Sequence, residues 1–159
     1  SFYYIFLLYI MTLTNFELIK LARRRRIDLD HILMKDELKN IKRKSKLSII
    51  INLQSSKVGN GTHWTCLYIE NKFAIYFDSF GAIPPVEVIR YCKGLKLGYN
   101  SYIIQDLNST ECGNYCIAFL EYLQYNNGTL FQDANSFSNM FEHDTKLNDD
   151  ILDDYMQSA

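Results

Sequence analysis

The sequence predicts a single α+β domain over residues 1–159, and three observations carry that prediction. Short β-branched and aromatic runs at 47–53, 63–69 and 72–78 have the length and residue types of strands. Stretches with helical spacing flank them, at 14–25 ahead and 113–125 behind. The apolar fraction of 48% in 159 residues suits an ordered chain with one buried core and argues against a disordered one. No segment repeats, so one domain accounts for the whole chain.

Taken in order, residues 1–10 read SFYYIFLLYI. This apolar extension, counted as 1–11, is about half as long as a membrane span and reads as a buried strand, a docking segment or translated sequence upstream of a start at Met11. Thr14 stands three residues before Glu17, a capping-box spacing that opens a helix over 14–25, with Phe16, Leu18 and Ile19 as its apolar face. A brief helical or loop element is expected over 31–39. The run LSIIINL at 47–53 is apolar without alternation, as in a strand covered on both faces. Gln54–Gly61 reads as a loop. Strands at His63–Ile69 and Lys72–Asp78 form a hairpin turning at Glu70-Asn71-Lys72.

Gly81 and the Pro84-Pro85 pair break the sheet. A helix over Val86–Leu95 is expected to pack through Val86, Ile89 and Tyr91 or Cys92. Ser101–Gln105 reads as a short strand and Asp106–Glu111 as a polar loop. Gly113–Tyr125 is a helix with Cys116, Ile117, Leu120 and Leu123 on one stripe. A last helix over Ala134–Phe141 precedes a frayed acidic tail, 142–159.

The net charge of -1 conceals an uneven distribution. Residues 20–46 hold eleven Lys or Arg against four acidic residues, and residues 132–159 hold seven acidic residues against one Lys. The basic region is either a solvated face or a surface for nucleic acid. Four cysteines are too few for a secreted disulfide scaffold, so free thiols are expected. The absence of a Gly-rich phosphate loop argues against a nucleotide enzyme.

The chemistry-bearing residues converge on a thiol. Cys112 lies where a polar loop meets the apolar helix, and unpaired N–H groups at a helix start favour thiolate over thiol. Gly113 keeps the approach to sulfur open. Cys116, one turn on, falls on the apolar stripe and reads as core. Of the three histidines, His63 alone starts an apolar strand beside a Gly-rich loop, where a base is both fixed and accessible; His31 and His143 read as surface residues.

Asp78 ends the next strand, and a hairpin centred near Asn71 brings it to His63 as the orienting carboxylate. Asp28 and Asp106 are alternatives without that strand-end placement. Gln105, seven residues before Cys112, either donates its amide to an oxyanion or satisfies its loop. Zinc held by His63, Cys66, Cys112 and Cys116 is disfavoured, because residues three apart on a strand face opposite ways.

The order His63, Asp78, Gln105, Cys112, with GTHW at 61–64, YFDSFG at 76–81 and ECGNYC at 111–116, resembles the adenovirus protease-like clan of cysteine peptidases. That clan also contains the proteases that process SUMO. The segments look closest to maturation proteases of virophages, Maverick-type elements and adenoviruses. The resemblance implies a papain-like architecture, a central mixed sheet packed by helices. It also implies the roles: Cys112 nucleophile, His63 general base and acid, Asp78 orienter, Gln105 oxyanion donor. Implied further are a polypeptide substrate, viral capsid or core precursors, and action in the virion or in the cytoplasm or viral factory of an infected cell. No cofactor is required by this reading. DNA stimulation through the basic region remains an expectation, and no membrane span is expected. The alternatives are an isopeptidase removing ubiquitin or SUMO and a noncatalytic DNA-binding virion protein.

Overall fold

The structure, a computed structural model, describes residues 12–54 and 63–158. The expectations for 1–11 and for most of the 54–61 loop lie outside the described residues. Helix α1 (Asn15–Arg24) leads into β1 (His31–Met34), a 3₁₀ segment (Lys35–Asn40) and β2 (Lys46–Asn52). The hairpin β3 (Trp64–Glu70) and β4 (Phe73–Phe77) follows, then α2 (Val86–Tyr91) and β5 (Lys96–Tyr99). Helices α3 (Cys112–Tyr125) and α4 (Leu130–Ser138), a 3₁₀ turn (Thr145–Leu147) and α5 (Asn148–Ser158) complete the chain.

The five strands lie in sequence order in one mixed sheet. Its central pairs, β2–β3 and β3–β4, are antiparallel, whereas β1–β2 and β4–β5 are parallel. Strand alternation divides the core. Ile50, Trp64, Cys66, Tyr68, Ile75 and Phe77 pack on the face covered by α1, α3, α4 and α5. Leu47, Ile49, Ile51, Leu67, Ile69, Ala74 and Tyr76 face the other way, against Leu38 of the 3₁₀ segment and Val88 and Cys92 at α2. Layers on both faces explain why β2 is apolar without alternation. The α+β class and the helix-packed central mixed sheet expected from sequence are those observed.

Several local expectations need correction. Residues 31–34 form an edge strand rather than part of a helical element, because parallel pairing with β2 satisfies their backbone. The hairpin turns on Asn71 and Lys72 alone, with Asn71 at φ 56° and Glu70 paired with Phe73. The register therefore sits two residues from the one that sets His63 directly across from Asp78. An even shift leaves both side chains on the same face.

Helix α2 stops at Tyr91 and buries Val88 and Cys92, leaving Val86 and Ile89 exposed, because Gly94 at φ 86° ends the segment. The strand expected at 101–105 is irregular; pairing with β4 falls earlier, at Lys96–Tyr99. The segment expected to fray is ordered as far as Ser158. Helix α5 buries Leu152 and fixes its first residues, Asn148 and Asp149, to the loop ahead of Cys112. Among the described residues, no helix is long and apolar enough to cross a membrane.

Candidate active site

Helix α3 is the central helix of the domain, buried around most of its circumference by Tyr115, Cys116, Ile117, Ala118, Phe119 and Leu120. Cys112 is its first residue. The first intrahelical bond runs from the Tyr115 N–H to the Glu111 carbonyl, so the thiol sits at the positive end of the helix dipole. Glu111 in turn accepts a hydrogen bond from the Asn114 amide. Gly113 also has a packing role. A Cβ there would lie 3.0 Å from Leu18 Cδ2, so its small size admits α1 against α3. Cys116 is fully buried, and burial together with a hydrogen bond to Cys66 pushes its thiol up, as befits a core cysteine.

His63 and Asp78 lie just beyond the paired ends of β3 and β4. His63 Nε2 meets Asp78 Oδ1 at 2.7 Å, and the Cys112 thiol lies near enough to the imidazole to act on its proton affinity. Burial works against charge on the imidazole, but Asp78 and Cys112 outweigh it and raise its pKa to about 9. The three residues form a carboxylate–imidazole–thiol chain, the geometry in which a base draws the thiol proton and a carboxylate holds the base.

Asp78 is 1% exposed and heavily tied. Its Oδ1 also accepts the Phe80 N–H at 2.8 Å. Asn100 grips its backbone from both sides: Oδ1 accepts the Asp78 N–H at 3.0 Å, and Nδ2 donates to the Asp78 carbonyl at 2.5 Å. Gly81, at φ 74°, closes the turn by donating to that same carbonyl, and any Cβ on it would meet the Tyr102 backbone at 2.6 Å. The alternatives Asp28 and Asp106 are engaged elsewhere, Asp28 through its backbone with Gln124 and Asp106 with Thr145.

Gln105 is buried on the segment before Cys112. Its backbone N–H donates to the Ser79 carbonyl, its Oε1 accepts the Ser79 hydroxyl at 2.6 Å, and its Nε2 donates to the Ser109 carbonyl at 3.0 Å and to Ser109 Oγ at 3.2 Å. The amide orientation follows from the partners, since the Ser109 carbonyl accepts only from N–H. Trp64, beside His63, donates Nε1–H to the Leu13 carbonyl at 2.7 Å and lines a cleft of about 460 Å³ with Thr12–Asn15, Ile32–Met34 and Asn52. Asn100, Phe80, Ser109 and Asp149 had no assigned role in the sequence. Ser79 and Phe80 lie inside YFDSFG, while Asn100 and Asp149 carry no local signal at all.

No protein-family model and no curated protein matches the chain. Solved structures do. The ASFV pS273R protease aligns with a TM-score of 0.59 at 17% identity, over 89% of this chain and 64% of that one. ChlaDub1 from Chlamydia trachomatis aligns at 0.50 and 16% identity, over 92% of this chain and 77% of that one. The chain thus spans slightly under two thirds of the length of the viral protease it matches. At these identities the likeness is one of fold, a central mixed sheet packed by helices.

Proposed function

We propose that this protein is a cysteine endopeptidase with Cys112 as nucleophile, His63 as general base and acid, Asp78 as its orienter and Gln105 as oxyanion donor. The observation that carries the reading is the Asp78–His63 contact at 2.7 Å, with the Cys112 thiol as the other group that acts on the imidazole. With Nε2 turned to Asp78, Nδ1 is the nitrogen left for the sulfur.

In this reaction the Cys112 sulfur attacks the scissile carbonyl while its proton resides on His63. The developing oxyanion takes the Cys112 N–H and the Gln105 Nε2 hydrogen that makes the longer contact to Ser109 Oγ. His63 then protonates the departing amine, the C–N bond breaks, and a thioester remains. Water, deprotonated by His63, hydrolyses the thioester and returns the thiol. The cleft lined by Trp64, the residue after His63, supports a polypeptide as substrate.

The substrate class we favour is viral capsid or core precursors, processed in the virion or in the cytoplasm or viral factory of an infected cell. The YFDSFG and ECGNYC segments and the likeness to a viral protease support it. DNA stimulation is part of the same proposal. Arg23, Arg24 and Arg26 are exposed, and Arg24 and Arg26 line a cleft of about 700 Å³. Peptide-library cleavage by wild type and Cys112→Ala, with mass spectrometry of the products, tests the reading. Specific cleavage by wild type alone is expected, and equal or absent cleavage overturns it. Cleavage confined to C-terminal Gly-Gly extensions would replace precursor processing with deconjugation.

A further inference from the structure

The acidic helix α5 is tied to the loop ahead of Cys112. Asp149 stands in the first turn of α5, where the helix dipole favours its negative charge. Its Oδ1 accepts two hydrogen bonds at 2.9 Å, one from Ser109 Oγ and one from the Tyr115 hydroxyl. Both partners matter to Cys112. Tyr115 is fully buried on α3, one turn after the nucleophile. Ser109 Oγ accepts the Glu111 N–H at 3.1 Å, immediately ahead of Cys112, and the Ser109 carbonyl accepts from Gln105.

With its own proton given to Asp149, Ser109 Oγ is left as an acceptor toward Glu111, while the Ser109 carbonyl holds the Gln105 Nε2 hydrogen that the oxyanion does not take. The neighbouring Asn148, buried, ties the Ile104 carbonyl at the other end of the same loop. A run therefore leads from α5 through Ser109 and Gln105 to Ser79, the residue after Asp78.

We propose that Asp149 is a positioning residue for the oxyanion-stabilising arm, holding Ser109 so that Gln105 and the Cys112 N–H keep a fixed relation. The proposal rests on the oxyanion role given to Gln105 above. Asp149 touches no reacting atom and acts through Ser109 and Tyr115. A misplaced oxyanion donor weakens only the transition state, so the effect falls on turnover rather than on binding.

The experiment compares kcat, KM and Cys112 alkylation by iodoacetamide in wild type, Asp149→Ala, Asp149→Asn and Gln105→Ala. Asp149→Ala is expected to lower kcat about tenfold with KM nearly unchanged. Alkylation stays at the wild-type rate, because attack by sulfur on iodoacetamide forms no oxyanion. Asp149→Asn, whose amide oxygen still accepts both hydrogens, recovers most of the loss. In a Gln105→Ala background, Asp149→Ala adds less than about twofold.

Unchanged kcat in Asp149→Ala, or full additivity with Gln105→Ala, overturns the positioning role and leaves the protease reading standing. Should Asp149→Ala unfold, Ser109→Ala decides by the same two outcomes. A wild type that neither cleaves nor alkylates rapidly instead removes the protease reading, and this inference with it.

Discussion

The ring of Phe80 lies 4.7 Å, centroid to centroid, from the imidazole of His63, at an interplanar angle of 29°. The same residue donates its backbone N–H to the Asp78 oxygen that His63 engages. One residue thus fixes the carboxylate with its backbone and covers the imidazole with its ring, and the turn that places it depends on Gly81.

Phe80→Leu should therefore lower kcat/KM about two- to thirteenfold, the equivalent of the ~0.5–1.5 kcal/mol typical of an aromatic pair. Phe80→Tyr should restore most of it. Steady-state kinetics on the two variants check this, and an undiminished Phe80→Leu enzyme would show that the stack does not hold the base.

The raised pKa of His63, about 9 against an ordinary 6.5, sets a pH dependence. Because the folded value exceeds the unfolded one, the associated stability is fully present below about pH 6.5 and lost as pH rises through about 9. Its size is on the order of 3 kcal/mol. Denaturant unfolding between those limits should show wild type losing stability that His63→Ala never had. Parallel curves for the two proteins would contradict the shift.

Asn100 makes the backbone of Asp78 a fixed strut. Asn100→Ala leaves the Asp78 N–H without that partner and should cost about 1–3 kcal/mol of stability. Turnover should fall more than KM rises, since the displaced carboxylate no longer holds His63. Chemical denaturation paired with kinetics measures both, and a change in stability with full activity would reduce Asn100 to a structural residue.

Arg25 separates from its basic neighbours. It grips Glu121 through Nε at 2.7 Å and Nη2 at 2.9 Å and donates Nη1–H to the Met156 carbonyl, with the pair only 12% and 9% exposed. Arg25→Ala should destabilise the fold by about 3–5 kcal/mol, because it leaves a buried carboxylate unpaired. Arg23→Ala, Arg24→Ala and Arg26→Ala should leave stability within about 0.5 kcal/mol and remove any stimulation by duplex DNA. Unfolding curves and cleavage assays with and without DNA separate the two behaviours. Stimulation that survives loss of all three exposed arginines would place nucleic-acid contact elsewhere.

The amino-acid sequence makes legible the elements whose signal is local. Thr14 and Glu17 form the capping box that their spacing indicates, LSIIINL is the doubly covered strand, and Gly113–Tyr125 lies within the helix that Cys112 begins. It also singled out Cys112, His63 and Asp78, since a helix start, a Gly-flanked strand end and a hairpin terminus are each visible in a few neighbouring residues. Tertiary structure alone decided the rest. The hairpin register, the edge strand at His31–Met34 and the displacement of the last strand to Lys96–Tyr99 depend on which backbone groups find partners across the sheet. Asn100 reaches Asp78 from 22 residues away, and Asp149 reaches Ser109 from 40. No periodicity or local spacing encodes such meetings. They exist because folding buries polar groups, and each buried group must find its partner wherever the chain has carried it.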